Sequence, residues 1–464
     1  MVAVPRSGAD VYDYKLGKVI FASSAGTTIE WYDFYIFASL FVLLSTKFFP
    51  PGNEVLAILG VFALVYVGFL VRPFGAFFFG RIGDLIGRKY TFLVTITVMG
   101  LATFAIGFLP TFEQVGLIAP LLLVILRCLQ GLALGGEYGG AAIYVAEHAP
   151  DDRRGEYTSY IQMTATLGLV LALIVVVGTQ TVMGTAAFES FGWRLPFFLS
   201  GILVALALYI RLSLRETPLY TAIKEAKKHS VAPIKDALHQ GGWKRILLVL
   251  LGATAGQAVV WYTGQFYALV FLQTELGVSV VASSVVVGVA LLLGTPFFLV
   301  FGKLSDRIGR RNIILAGCLL AALTYYPLYR GMTAFVDNYV MLVVLVFIQM
   351  IYVTMVYGPI AAYLVELFPA RVRYTSLSIP YHLGNGWFGG GVPLIATALV
   401  ARLGSTETID YAGLIYPISI ALMTTVVGYF ALRETYHTRI WDEVSAAPAT
   451  AERPARVTTG EATT

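Results

Sequence analysis

Several ionisable residues stand well inside long apolar stretches of this sequence, among them Glu30, Asp33, Arg72, Arg127 and Glu137. A charged side chain within a membrane span costs several kcal/mol, so it persists where it is paired or faces a wet cavity. Glu30 and Asp33 are three residues apart and share one face of a helix. Two carboxylates at that spacing repel each other, which favours protonation of one and suits a proton carrier. The alternative is a structural pair neutralised by an arginine such as Arg72 or Arg127.

Arg127 lies deep in the fourth apolar stretch, well away from both ends. A guanidinium there can grip a carboxylate bidentately or hold a neighbouring acid ionised. Glu137 follows ten residues later within Gly135-Gly-Glu-Tyr-Gly-Gly140, where small residues allow close approach of another helix. We therefore predict that Glu30, Asp33, Arg127 and Glu137 couple transport to protons. Glu137 has the alternative role of neutralising a neighbour.

Polar and aromatic residues also recur at helical spacing in the second half of the chain. Uncharged amides in the middle of a span usually face something polar, and the Tyr357-Gly-Pro359 sequence predicts a kink. The alternatives are aromatic side chains that face lipid or the core, and a structural histidine. The predicted substrate-binding residues are Arg127, Tyr138, Gln257, Trp261, Gln265, Tyr357, His382 and Asn385.

A ten-residue phrase occurs twice, as Gly80-Arg-Ile-Gly-Asp-Leu-Ile-Gly-Arg-Lys89 and, 222 positions later, as Gly302-Lys-Leu-Ser-Asp-Arg-Ile-Gly-Arg-Arg311. In each copy one aspartate stands among several cations between two apolar stretches. A single copy is equally consistent with a turn that only sets topology, but the duplication favours a gating device. A second repeat relates Glu147 to Glu366, 219 positions apart. Such internal repeats are typical of transporters with a site between two halves.

The predicted gating residues come from these two repeats and include Arg72 as well. Arg72 precedes Pro73 late in the second apolar stretch. For Arg72 the alternative is a side chain that snorkels to the membrane surface. The full gating set is Arg72, Gly80, Asp84, Gly87, Arg88, Glu147, Asp306, Arg310 and Glu366.

The elements that must position these residues are membrane helices. The chain is 58% hydrophobic and 13% charged, whereas a soluble domain carries roughly 25% charged residues. The predicted spans are 18–45, 54–79, 90–110, 117–147, 157–183, 194–213, 245–272, 280–301, 312–330, 339–367, 376–401 and 411–432. The expected fold is an all-α membrane protein with twelve transmembrane helices in two pseudo-symmetric six-helix bundles.

The distribution of lysine and arginine predicts the orientation. One set of loops holds only Lys47, Arg194, Arg330 and Arg402, while the other set holds nearly all remaining cations, so both termini are expected in the cytoplasm. The expected organisation is a cytoplasmic segment 1–16, a bundle 17–213, a cytoplasmic linker 214–244, a bundle 245–435 and a disordered cytoplasmic tail 436–464. No cleavable signal peptide is expected, because the first apolar run contains Glu30 and Asp33.

The sequence lacks the motifs of several function classes. The sequence has no Walker-type glycine-lysine loop, no Ser/His/Asp arrangement and no metal-spaced Cys/His cluster, so we expect neither an enzyme nor a cofactor or metal site. Cys128 and Cys318 are interpreted as packing residues. Because the cations lie in short loops, no nucleic-acid partner is expected. The expected partners are a small-molecule substrate and the lipid bilayer, with the proton as coupling ion and a monomeric chain.

The repeated loop phrase and Arg127-Cys-Leu-Gln-Gly131 resemble the major facilitator superfamily. The stretches Glu30-Trp-Tyr-Asp-Phe-Tyr35, Arg72-Pro-Phe-Gly75, Gly135-Gly-Glu-Tyr-Gly139 and Arg215-Glu-Thr-Pro218 resemble its metabolite:proton symporter family, whose carriers take 2-oxoglutarate, citrate, shikimate or proline/betaine. The resemblance implies two bundles that rock around a central site, with Asp84 and Arg88 closing the cytoplasmic side and Arg127 in the coupling or substrate network. The tail of this sequence lacks the coiled-coil heptads found in the osmosensing proline/betaine carrier of that family.

The functional hypothesis from the sequence is proton-coupled import of a small polar metabolite, a mono- or dicarboxylate, across a bacterial inner membrane. Arg127 and the range of the resembling family favour the carboxylate. A zwitterion such as proline or betaine is the main alternative, because Glu30, Asp33 and Glu137 could hold an amine beside Trp261. A passive facilitator and a solute-binding membrane receptor are the alternatives from other classes.

Overall fold

The computed structural model describes residues 16–50, 54–212, 217–225, 230, 232–239, 241–403 and 411–442. Several sequence predictions fall outside these ranges: the segment before residue 16, parts of the linker that include Arg215, and the tail beyond residue 442. The side chain of Arg88, a predicted gating residue, also lies outside the described part.

Twelve long helices account for the membrane part of the described chain. They are α1 (Leu16–Ser39), α2 (Glu54–Leu70 continued by Arg72–Leu85), α3 (Arg88–Ile106), α4 (Ile118–His148), α5 (Arg154–Met183), α6 (Leu195–Leu212), α7 (Gly242–Thr274), α8 (Val280–Ile308), α9 (Arg310–Ala334), α10 (Tyr339–Leu367), α11 (Ala370–Leu403) and α12 (Ile415–Ala431).

Eleven of these twelve helices have both the length and the hydropathy of a membrane span, as judged over the described residues. The remaining one, α1, has 24 residues and is long enough to cross, at about 36 Å. Its two acids, Glu30 and Asp33, lower its apolar character. The all-helical fold predicted from the sequence is confirmed.

The helices form two halves, α1–α6 and α7–α12, that meet along two equivalent contacts. In one contact α2 packs on α11, and in the other α8 packs on α5. Because α8 and α11 occupy the same places in the second half as α2 and α5 in the first, the two contacts are related by a pseudo-two-fold axis. We call the face where α1 begins and α12 ends the terminal face, and the other end of the bundle the opposite face.

Glycines allow both contacts to be close. A Cβ added at Gly80 would lie 3.1 Å from the Cα atom of Thr375 on α11. At Gly302, the counterpart of Gly80, an added Cβ would lie 2.6 Å from the Gly155 carbonyl oxygen on α5. Gly87 and Gly309 immediately precede α3 and α9 and have φ angles of 129° and 104°, values that favour glycine. The repeated phrase therefore combines close helix packing with a sharp turn.

Three π-helical turns interrupt the second half within the residues that the structure describes. They lie at Leu250–Thr254 and Thr263–Tyr267 in α7 and at Gly384–Gly389 in α11. Such turns insert an extra residue into a helix and are frequent at functional sites. In the first half, α2 is broken at Val71, immediately before Arg72 and Pro73, because proline lacks the N–H that continues the helix.

The described part of the segment between the halves contains two short helices, Pro218–Glu225 and Pro233–Leu238. They fall in the segment expected to be a linker, whose predicted end at 244 lies just after the start of α7 at Gly242. After α12, the chain through Asp442 packs on the terminal face, where Ile440 is fully buried. This part of the predicted tail is thus in contact with the helices.

Candidate functional site

The aspartates of the repeated phrase each bind the N-terminus of a helix in the other half. Asp84 accepts hydrogen bonds from the backbone N–H groups of Tyr374 and Thr375 at 3.3 and 3.0 Å, and from the Thr375 hydroxyl at 2.8 Å. Asp306 accepts from the N–H groups of Gly155 and Glu156 at 2.8 and 2.9 Å. A carboxylate at a helix N-terminus is favoured by the helix dipole. The two aspartates therefore join α2 to α11 and α8 to α5.

Two glutamates join the halves a second time at the terminal face. Glu147 of α4 pairs with Arg373 of α11 at 3.2 Å. Glu366 of α10 pairs with Arg154 of α5 at 2.8 Å and with Arg310 at 3.1 Å. The two cross-pairs occupy equivalent places in the two halves, since both partners shift by 219 positions. We call these pairs, with the two aspartate contacts, the interhalf network.

Threonines complete the interhalf network in both halves. Thr217 donates to Glu147 at 2.6 Å, and Thr435 donates to Glu366 at 2.7 Å. The gating residues predicted from the sequence did not include Thr217, Thr435, Arg154 or Arg373. The repeated triplet Arg-Glu-Thr at 215–217 and 433–435 was the signal that could have identified the threonines. With these contacts made, the terminal face is closed.

Inside the bundle, the acids of the first half gather near a buried arginine of α6. Arg211 binds Glu30 through both carboxylate oxygens at 2.6 and 3.0 Å, and its Nη2 atom lies 4.0 Å from Glu137. Asp33 is fully buried and neither carboxylate oxygen has a hydrogen-bond partner, although Ser200 of α6 is near enough to interact. We call Glu30, Asp33, Glu137 and Arg211 the anionic cluster, because acids outnumber the cation.

The cation that pairs with Glu30 differs from the sequence expectation. Arg72 and Arg127 were the expected neutralising residues, and Arg211 was counted with the loop cations. Arg211 stands near the end of α6, and its long side chain reaches back into the bundle, which residue spacing does not reveal.

Arg72 and Arg127 form a second group, the cationic pair. Arg127 donates to Gln130 at 2.8 Å and stands over the rings of Phe34 and Phe37, while its Nε and Nη2 atoms lack partners. Among the described residues it has no carboxylate within 4.0 Å.

Arg72 lies nearer the contact between the halves. Its guanidinium carbon is 5.8 Å from the Trp31 ring, and its Nη1 atom is 3.4 Å from the Tyr262 hydroxyl of α7. Its Nε and Nη2 atoms also lack partners. Arg72 is fully buried, so the snorkelling interpretation is wrong and the side chain belongs to the interior of the bundle.

The second half contributes a neutral wall to this interior. Tyr138 of α4 stacks on Tyr381 of α11 with ring centroids 3.5 Å apart. Gln162 of α5 donates to the carbonyl oxygen of Tyr357 at 2.7 Å, and the Tyr357 hydroxyl is 2.7 Å from that of Tyr381. These contacts bring the predicted residues Tyr138 and Tyr357 together across the two halves.

The other predicted substrate residues lie around the same interior. Trp31 and Trp261 have ring centroids 6.3 Å apart, and Gln265 accepts a hydrogen bond from Thr166 of α5 at 3.3 Å. Gln257 and Asn385 form a reciprocal amide pair at 3.3 and 3.1 Å. His382 is fully buried with both ring nitrogens unpartnered. The structure therefore places unsatisfied polar groups of both halves in one central region.

This arrangement separates opposite charges at bilayer depth. Arg127 and Glu137 are ten residues apart on α4, about 15 Å along the helix, so the anionic cluster lies closer to the terminal face. Buried charges without partners are costly unless a ligand or a proton neutralises them. The cationic pair can therefore take up an anion, and the anionic cluster can take up a proton.

The chain belongs to the Major Facilitator Superfamily, whose family model matches residues 24–391. Its helices superpose on the proton:xylose symporter XylE, solved with 6-bromo-6-deoxy-D-glucose bound, with a TM-score of 0.73 over 93% of this chain and 98% of that one, at 18% identity. This likeness confirms the predicted fold.

Two relatives place the chain in the metabolite permease group of that superfamily. It is 34% identical to the alpha-ketoglutarate permease of Escherichia coli (strain K12), over 82% of this chain and 86% of the relative. It is 33% identical to the glycine betaine/proline/ectoine/pipecolic acid transporter OusA of Dickeya dadantii (strain 3937), over 91% of this chain and 84% of the relative. The family resemblance inferred from the motifs is confirmed, and the chain is a multi-pass membrane transporter.

Proposed function

We propose that this transporter is a symporter that imports a small organic carboxylate together with protons across the bacterial plasma membrane, and that it catalyses no chemical reaction. The substrate enters the central region between the halves, and alternating exposure to the two sides moves it inward. The alpha-ketoglutarate permease relative supports a carboxylate substrate.

The observation that carries the proposal is the division of buried charge into two unmatched groups. Arg72 and Arg127 have no carboxylate partner among the described residues, and the anionic cluster has three acids for one arginine. A carboxylate bound at the cationic pair without a proton at the anionic cluster would leave surplus negative charge in a medium of low dielectric constant. Binding an anion and a proton reduces the unmatched charge of both groups, so anion and proton travel together.

The interhalf network supplies the gate of this cycle. With Asp84, Asp306, Glu147 and Glu366 all bound across the halves, the terminal face is closed. The excess of lysine and arginine in the loops of this face supports its assignment to the cytoplasm. Inward release then requires these contacts to break together, and the π turns of α7 and α11 are places where these two helices can bend.

Proteoliposomes with an acidic exterior test this function. We expect radiolabelled 2-oxoglutarate or a related carboxylate to accumulate, with alkalinisation of the external medium, and an uncoupler to abolish both. Uptake that an uncoupler leaves unchanged would indicate a passive facilitator. Saturable binding without uptake or counterflow would indicate a receptor.

A zwitterionic solute is the second candidate, and the aromatic side chains favour it. Trp31, Tyr35 and Trp261 stack in sequence with centroid separations of 5.3 and 5.9 Å, and such rings attract a quaternary ammonium group. The relative OusA supports this candidate. A competition experiment separates the two candidates. If a carboxylate is the substrate, excess glycine betaine leaves carboxylate uptake unchanged. If a zwitterion is the substrate, glycine betaine is accumulated instead of the carboxylate.

A further inference from the structure

Arg211 stands between two carboxylates and pairs fully with only one of them. Both of its terminal nitrogens bind Glu30, at 2.6 and 3.0 Å. The Oε1 atom of Glu137 is 4.0 Å from Nη2 and has no hydrogen-bond partner. The three side chains are between 1% and 4% exposed, so bulk solvent does not screen them.

The surroundings hold the guanidinium in this position. Its carbon lies 3.7 Å from the centroid of the Phe92 ring of α3, and its terminal nitrogens lie 3.3 Å from the Phe92 carbonyl oxygen and 3.4 Å from the Thr27 hydroxyl. Gly26 leaves room for it, since an added Cβ there would be 2.5 Å from Nε. Arg211 therefore has to turn away from Glu30 before it can bind Glu137 bidentately.

The charge count at this place requires protons on two acids, because three carboxylates face one guanidinium. One guanidinium neutralises one carboxylate, and Asp33, one turn further along α1, adds a third acid. The ionisable groups that face the site are Glu30 and Asp33 from α1, Glu137 from α4 and Arg211 from α6, while α3 contributes the uncharged Phe92. An unpaired carboxylate at this depth is far less stable than the neutral acid.

We propose that Glu137 holds the transported proton in this conformation and that Arg211 transfers from Glu30 to Glu137 when that proton leaves. The proposal rests on the proton-coupled function above and names the proton site within it. A proton from water converts the Glu137 carboxylate into a neutral acid. Its release to water at the open terminal face restores the Glu137 carboxylate, which Arg211 then pairs, while the Glu30 carboxylate that Arg211 leaves is exposed to the water admitted by that opening. The proton site is thus separate from the cationic pair.

Infrared difference spectroscopy on the purified full-length protein tests the proton directly. Wild type is expected to show a C=O stretch from protonated carboxylic acid, and Glu137→Gln is expected to lose the component of that band due to Glu137. Glu137→Asp, which keeps an acid, is expected to retain the band. Glu113→Gln, at an exposed glutamate of the loop between α3 and α4, is the matched control and is expected to leave the band unchanged.

Transport provides the second readout. In proteoliposomes we expect the ratio of gradient-driven accumulation to counterflow exchange to fall at least tenfold in Glu137→Gln, and to be partly restored in Glu137→Asp. An acid band that is unchanged in Glu137→Gln and is lost in Asp33→Asn or Glu30→Gln would overturn the proposal. Equal loss of exchange and accumulation in folded Glu137→Gln would overturn it as well. If wild type carries no carboxylate with protons, the proposed function fails, whereas the infrared band still reports whether Glu137 is protonated.

Discussion

The two halves of the molecule carry equivalent charged residues at the terminal face but different residues in the interior. Glu147 and Arg154 have their counterparts in Glu366 and Arg373, each 219 positions later. The same shift relates Arg127 to Val346 and Glu137 to Val356, both fully buried.

Within the spans of the described second half, away from the two faces, His382 is the one residue of acidic or basic type. The duplicated residues thus close the terminal face, a role that both halves share. The diverged residues supply the binding chemistry, with charges in one half and neutral hydrogen-bonding groups in the other.

The largest expected effect comes from the interior, where the halves differ. Arg127→Ala removes half of the cationic pair, and loss of a buried charge partner costs at least ~2 kcal/mol, so carboxylate uptake should fall by about 30-fold or more. Its counterpart Val346→Ala removes two methyl groups and no charge, and uptake should stay within about threefold of wild type. Initial rates in proteoliposomes measure both. Similar losses in the two variants would show that the charge difference between the halves is unrelated to transport.

An intermediate effect is expected at the interhalf network, where the halves agree. Glu147→Gln and Glu366→Gln each weaken one cross-pair while keeping its shape, so each should raise the open-to-closed ratio of the terminal face by about tenfold, or ~1.4 kcal/mol.

Distances between spin labels at the exposed positions Tyr90 and Ile308, one in each half, report this opening, with Cys128 and Cys318 replaced by alanine. Equal distance shifts in the two variants support the energetic equivalence of the two cross-pairs. A shift in only one of the two variants would show that the symmetry of the contacts does not extend to their energies.

The smallest effect is expected from the glycines of the repeated phrase. An added Cβ at Gly302 would meet both the Gly155 carbonyl oxygen and the Ser159 Cβ at 2.6 Å, whereas at Gly80 the nearest atom is at 3.1 Å. Gly302→Ala should therefore open the terminal face by about threefold and Gly80→Ala by less than about twofold, because small overlaps are relieved by slight helix shifts. The same spin-label distances measure both. A larger effect at Gly80 would contradict the close contact at Gly302.

Much of the fold followed from the sequence because bilayer thickness fixes helix length. Runs of about 20 apolar residues identify spans, and the repeats at 222 and 219 positions identify the two halves. The structure corrected the partners of the charges. Glu30 pairs with Arg211, and Arg72 lies inside the bundle, since contacts between distant helices depend on packing that spacing along one helix does not encode.

The sequence alone determined that charged groups are held at bilayer depth between duplicated halves, because hydropathy and repetition are properties of the chain itself. Only the tertiary structure decided which charges meet. It divided them into an anionic cluster and a cationic pair, because helices that are far apart in sequence bring some side chains within hydrogen-bonding distance and leave others without a partner.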